Sequence, residues 1–484
     1  MKKLQAFIFI LAMLCCQLAF AAPKIKGTLL YVPLDNRPVC LAYPVETMEA
    51  AGWEVKTPPL EYIAGAEKGG DPDALFDWLL ENADESLAMV ISSDALVYGG
   101  LVDSRTHHIP LEVLKHRADR LVELKKDFRD QLVYVFTTIM RSPKRSAAPV
   151  EPAYYKEWGA KIFRLGELED KLEAKEIGYR EKRELRKLRQ AIPQEILDDY
   201  LNTRKRNFEI NKLYLEWQKE GLLDTLIFSK DDCAEFGFNV DEARELENLG
   251  GKTKTGADEI PLSLLARAVN KEIKIYVEYT ENEYKNLISN YEDVPIEQSV
   301  LGQLELGGFQ VVESKEEADV VLLVNNFVGK QGELVMAWDT EPYNKNLIVP
   351  QKPYCVADVR YANGADNAFV KQLLPQIKQE NFYGYAGWNT SANALGGLLA
   401  GLKFRFNAKN YNEDAFKKLQ LIRFLDDWAY QANIRKLIEK PCDIKDLMKD
   451  YKEALIKILK YELKTNIAYS YPWNRKFEVE IDLC

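Results

Sequence analysis

The chain has almost no histidine: three in 484 residues, two of them adjacent at His107 and His108. That scarcity argues against a histidine-built zinc site, although a hard cation held by carboxylates would need none. Positive charge is in deficit as well. A formal net charge of −10 offers no basic face to a nucleic acid. Cysteine is sparse, and after position 22 only Cys40, Cys233, Cys355, Cys442 and Cys484 remain. An odd set cannot all pair, and the spacing matches no metal motif. A chain of this length needs no disulfide staples, so these thiols read as mostly free and packed. Beyond the N-terminus no apolar run is long enough to span a bilayer.

That N-terminus, MKKLQAFIFILAMLCCQLAFAA, is the one long apolar segment. Lys2 and Lys3 form a basic start, an apolar stretch follows, and Ala19-Phe20-Ala21 ends it in a small-x-small pattern. These are the parts of a secretory signal peptide, which assigns residues 1–22 to export and the product to the periplasm or the extracellular space. Ala12-Met13-Leu14, before Cys15 and Cys16, makes no convincing lipoprotein box, so a cleaved soluble product is expected over a retained anchor. No stable membrane insertion is expected once the signal is cleaved. The remaining composition, 47% hydrophobic and 29% charged over the whole chain, is that of a globular protein large enough for more than one core.

Ten short apolar runs alternate with helical patterns, from GTLLYVPLD (27–35) to FYGYAGWN (382–389). Continuous apolar strands separated by helices imply parallel β-α-β units with helices on both faces. The stretch GGFQVVESKEEADVVLLVNN holds two strands with no room between them for a full crossover helix. It reads as an edge strand followed by a return to the sheet, as in flavodoxin-like order. The expected fold is therefore α/β with two doubly wound modules, at 23–265 and 266–402, and a mostly helical region at 403–484. A decorated (β/α)8 barrel is the alternative. Residues 150–222 form a charged insert, with ELEDKLEAKEIGYREKRELRKLRQ carrying opposite charges at helical spacing. It reads as a solvated helical hairpin, or else as a lid.

In parallel sheets ligands bind beyond the carboxyl ends of the strands. Here those ends are polar: Asp35, Asn36 and Arg37; Asp94, then Tyr98 and Arg105; Arg141; Asp231 and Asp232 in LIFSKDDCAEFG; Asp358, Arg360, Asn363 and Asp366; Trp388 and Asn389. Any one Asp or Asn there could be a helix cap. Arginines at four strand ends share no capping role, and they suit bidentate binding of a carboxylate or phosphate. Neutralisation of these arginines by the neighbouring acids is the purely structural reading. Adjacent acids such as Asp231 and Asp232 repel, and burial raises the cost of charging either one. Glu259, before the helical run IPLSLLARAVN, reads as a helix-start acid or as the partner of that pair in catalysis.

The segments YVPLDNRPVC, SSDALVYGGLVDSR, SKDDCAEFG, GADEIPLSLLAR, NGAD and YAGWNTSANALG together resemble the motifs of the bacterial domain-of-unknown-function family 4127. The resemblance spans almost the whole chain after the signal segment. It implies one site built from these segments and no particular reaction.

The Asp-Asp pair after a strand is similar to that of some N-acetylhexosaminidases, in which one carboxylate orients the substrate acetamido group and its neighbour moves the proton. The expectation is a secreted hydrolase acting on carbohydrate, for example an acidic or N-acetylated sugar, with Asp231, Asp232 and Glu259 as catalytic candidates. The other strand-end residues would bind the small-molecule or glycan substrate: an arginine for a carboxylate, Trp388 for a sugar face, Asn389 for hydroxyls. No cofactor and no nucleic-acid partner is expected. Two alternatives remain open: a metal-dependent phosphoester hydrolase using Asp35, Asp94, Asp231 and Asp232, and a solute-binding protein without catalysis.

Overall fold

The apolar runs are long enough for one strand each, and most are too rich in Val, Ile and Phe to sit at a surface. In the computed structural model all ten form strands. The structure describes residues 26–146, 149–269, 272–438, 444–462, 466–473 and 475–483. The apolar N-terminal segment 1–22, with Cys15 and Cys16, lies outside them, as do Cys442 and Cys484.

The first sheet holds β1 (Thr28–Val32), β2 (Glu54–Lys56), β3 (Ala88–Ser92), β4 (Leu132–Ile139), β5 (Thr225–Lys230) and β6 (Thr253–Thr255), in the order β2-β1-β3-β4-β5-β6. The second holds β7 (Lys274–Tyr279), β8 (Gln310–Val311), β9 (Val320–Asn325), β10 (Tyr354–Asp358) and β11 (Phe382–Ala386), in the order β11-β10-β9-β7-β8. Every pairing within these two sheets is parallel. Both sheets thus start in flavodoxin-like order, with the second strand at the edge beside the first. They are open, and no closed barrel forms among the described residues. Strand β8 is the short edge strand, and residues 312–319 carry the chain back past β7 to β9 without a helix.

Strands β3 and β9 are buried along their whole length, as strands covered on both faces must be. Phe136, Phe228, Leu30 and Ile91 fill the first module, and Val320, Leu322 and Val356 the second. One apolar cluster joins Tyr31 and Val90 of the first sheet to Ile260, Trp388 and Phe404, so the two modules share a packed layer. Cys40, Cys233 and Cys355 are free and buried.

Three features differ from expectation. The weakly apolar TKT forms β6, a sixth strand at the edge of the first sheet. The charged insert is three helices, Tyr155–Glu173, Tyr179–Ala191 and Gln194–Lys219, with its own small core around Ile162, Leu165 and Tyr200. The C-terminal region has helices, including the wide-turned π-helical stretch Phe424–Ile434. It ends in an antiparallel hairpin, Ile467–Ser470 with Glu480–Leu483. Alternation in FEVEIDL is the sequence signal for that hairpin, and helical propensity upstream masks it.

Loops at the carboxyl ends need unusual backbone to turn back sharply. Gly99 and Gly100 after β3 hold φ of +106° and +150°, and a Cβ on Gly100 would run into the side chain of Ala64. Gly100→Ala is therefore expected to cost about 1–3 kcal/mol, the range for forced backbone strain. Urea denaturation checks this, and an unchanged midpoint would refute it.

Candidate functional site

A polar cavity of about 220 Å³ opens at the carboxyl ends of the first sheet. It is lined by Arg37 after β1, Arg105 after β3, Arg141 after β4, Asp231 and Asp232 after β5, Asp258 after β6 and Asn389 after β11. Trp473, Arg475 and Phe477, in the connection of the C-terminal hairpin, complete the wall.

Arg37 organises one side. Its backbone N–H and its Nε both donate to Asp35, and Nη2 reaches Asp35 at 2.8 Å and Asp258 at 2.6 Å. Nη1 contacts Glu478 at 3.3 Å. Burial works to lift the Asp258 carboxyl. Arg37, together with the hydrogen bond donated by Asn389 at 2.9 Å, outweighs burial and holds Asp258 below its ordinary range. The loop bearing Asp258 is fixed by Gly256 at φ +84° and by the Asn393 side chain, which accepts from the Ala257 N–H at 3.0 Å.

The other side is a second acid–arginine lattice. Arg105 pairs with Asp231 at 2.6 Å, and Arg141 with Asp231 at 3.4 Å and with Asp232 more closely still. Glu151, from the start of the insert, sits buried between them, 3.5 Å from Arg105 and 2.7 Å from Arg141. Asp232 holds a left-handed φ of +43°, a strained state for a non-glycine residue that clusters at functional sites. Burial first, and the neighbouring Asp231 second, lift its carboxyl to about 6 against the pull of Arg141. Asp232 therefore holds its proton more tightly than an ordinary aspartate and keeps it to higher pH.

The remaining candidates lie elsewhere. Asp35 is buried behind Arg37, and the exposed Asn36 accepts a hydrogen bond from the Trp473 indole at 2.9 Å. Asp94 clamps β3 to β4, accepting from the Thr138 N–H at 2.8 Å and its hydroxyl at 2.7 Å. Tyr98 is buried against His107, ring centroids 5.0 Å apart. Glu259 stands where the helix Ile260–Ala268 begins, but its side chain bonds the Gly397 N–H and lines a separate cavity of about 60 Å³ beside Arg423. It therefore does not face Asp231 and Asp232. Trp388 packs in the core against Phe477 and does not line the polar cavity, whereas Trp473 does.

Asp358, Arg360, Asn363 and Asp366 belong to a buried network of the second sheet. Asn325 donates to Asp358 at 2.8 Å, Arg360 pairs with Glu281 at 2.9 Å, and Asp366 caps the helix Asn367–Leu373. Burial and Asp366 push Asp358 up to about 8. Asn363 links the two networks, since its N–H donates to the Asn389 carbonyl at 3.0 Å and its amide to Glu333 at 2.7 Å. Among the described residues no group of three or more His, Cys, Asp or Glu side chains could hold a metal ion.

Sequence reasoning missed Asp258, Glu151, Glu478, Trp473, Arg475 and Phe477. Asp258 was one residue from the acid singled out. The run YPWNRKF, aromatic and basic among helix formers, was the available signal for the hairpin residues.

The fold and the cavity define an α/β protein of two flavodoxin-ordered modules with an acid–arginine site at the strand ends of the first. The chain belongs to the family described as Protein of unknown function (DUF4127), whose profile matches residues 29–482. No curated protein and no solved structure matches the chain.

The lattice makes unequal demands on its members. Arg141→Met leaves Glu151, Asp231 and Asp232 short of a countercharge and is expected to cost about 3–5 kcal/mol, the weight of breaking a buried ion pair. Asp232→Asn has the opposite sign. Its carboxyl is raised in the folded state, so ionising it costs stability as pH rises through about 6, and Asn removes that cost. At pH 7 it should melt at or above the wild type. Thermal melts of both variants decide the matter, and early melting of Asp232→Asn would overturn the assignment.

Proposed function

We propose that the protein is an exported hydrolase acting on carbohydrate, with Asp232 transferring the proton. The observation that carries this reading is the divergence of two carboxyl groups on one cavity: Asp232 lifted to about 6 and Asp258 held below its ordinary range. Environments that push two carboxyl groups apart assign an acid and an ionised partner. Protonated Asp232 would donate to the leaving oxygen of a glycosidic bond. The Asp258 carboxylate would face the positive charge that develops on the sugar. Asp231, held at 2.6 Å by Arg105, orients rather than transfers. The Trp473 ring at the cavity wall supplies a face on which a sugar can stack.

Export rests on the N-terminal segment, and sequencing the mature protein should find a start at Ala22 or Pro23. Among the described residues no helix is long and apolar enough to cross a membrane.

The test is a screen against chromogenic glycosides, with phosphoesters and chelator as controls. Glycoside turnover should fall as pH rises above about 6, because the donating form of Asp232 disappears. Asp232→Asn should lose about 10²–10⁴-fold in turnover, the usual weight of general acid–base catalysis, with its melting temperature kept. Full turnover in that variant, or a rate that climbs above pH 6, would sink the reading.

A further inference from the structure

The residues that line the polar cavity carry four positive charges, on Arg37, Arg105, Arg141 and Arg475, against three negative ones, on Asp231, Asp232 and Asp258. Four against three leaves one positive charge in excess, and two once Asp232 is protonated. Asp35, Glu151 and Glu478 are buried and do not line the wall. They sit behind the arginines: Asp35 against Arg37, Glu151 against Arg105 and Arg141, and Glu478 against Arg37 and Arg475. Buried guanidinium groups need such partners to stay in place.

The hydrogen bonds locate where this charge is open. Arg37 gives Nε, Nη1 and Nη2 to Asp35, Asp258 and Glu478. Arg141 gives Nε to Glu151 and Nη1 to Asp231 and Asp232, and among the described residues its Nη2 meets no acceptor. The Nε of Arg105 is open in the same sense. Arg475 makes one bond, from Nη2 to Glu478 at 3.1 Å, which leaves its Nη1 and Nε without an acceptor among the described residues. It is the most exposed of the four, with 35% of its side chain open. Its guanidinium lies 4.8 Å from the ring centroid of Trp473 and 5.6 Å from that of Phe477.

The acids offer less. Both oxygens of Asp258 are taken, by Arg37 and Asn389. Asp231 and Asp232 each keep one oxygen off the arginines, which suits the hydroxyl donors of a sugar. These two acids also limit the charge that a ligand can bring. A phosphomonoester carries about −1.5 to −2 near neutral pH and would set that charge beside them. A carboxylate brings a single charge, and its two oxygens match the N–H groups of a guanidinium.

We propose that the sugar this cavity takes is an acidic one, with its carboxylate drawn to the open N–H groups of Arg141 and Arg475 and its ring against Trp473. This deepens the reading of the site as a carbohydrate hydrolase and rests on it.

The experiment is calorimetric titration of the purified mature protein with trimers of glucuronate and of galacturonate, with the methyl esters of both, and with glucose 6-phosphate. Release of reducing ends from each trimer is assayed alongside. At least one acid should bind about tenfold tighter than its ester, the weight of one hydrogen bond to a charged group. Added salt should weaken the acid and spare the ester, since only the acid is held by charge. Affinity for the acid should rise as pH falls through about 6, where Asp232 takes up its proton among Asp231, Asp258, Arg105, Arg141 and the neutral Tyr291. Asp232→Asn should remove that rise. Arg475→Met, at the most exposed of the four arginines, should lose most of the preference for the acid and bind the ester as before. Esters that match the acids, acids that fail to bind, an unchanged preference in Arg475→Met, or tighter binding of glucose 6-phosphate than of either acid overturns the inference and leaves the hydrolase reading standing. Tight binding of an acid without new reducing ends sinks the hydrolase reading alone.

Discussion

The guanidinium of Arg37 is the interaction on which the site depends. It is 5% exposed and joins three parts of the chain that are far apart in sequence: Asp35 at the end of β1, Asp258 after β6, and Glu478 in the C-terminal hairpin. A buried guanidinium cannot shed its proton and cannot be left unpaired, so each of these acids must arrive for the fold to close. Such networks add little net stability compared with apolar packing of equal volume. What this one adds is registration, because it fixes which strand ends meet and at what distance. Arg141 plays the same part for Asp231, Asp232 and Glu151.

Much of the architecture was legible because burial on both faces leaves no freedom in composition. Strands such as ADVVLLVNN have to be apolar throughout, and all ten such runs became strands. The edge strand β6 escaped because TKT has one covered face and little to declare. For the site, the rule that parallel sheets bind at their carboxyl ends collected Arg37, Arg105, Arg141, Asp231, Asp232 and Asn389, which do share one cavity. It also collected Asp94, Asp358 and Arg360, which are strand-end residues spent on holding neighbouring strands and loops. A sequence gives the position of a side chain along a strand but not the partner that will claim it.

Asp258 and Glu259 show the limit most clearly. Two adjacent acids precede a helix, and nothing in their type says which will face the polar cavity. The choice is made by Gly256 at φ +84° and by Asn393 gripping the backbone before them, contacts supplied by a segment more than a hundred residues away. Asp258 turns toward Arg37, and Glu259 is left against Gly397 and Arg423, where burial raises it to about 7. Local pattern is silent on such a choice because the deciding contact is tertiary.

The C-terminal hairpin closes the wall of the cavity with Trp473 and Phe477 after both sheets have been laid down in the chain. A polypeptide emerges from its N-terminal end, so the acids and arginines of the first sheet exist for some time without that wall. Until the hairpin is made the pocket lacks that wall, and water screens the charges that burial later sharpens. The last residues to arrive thus complete the site: a chain cut short before them would leave the acids and arginines of the first sheet open to water on that side.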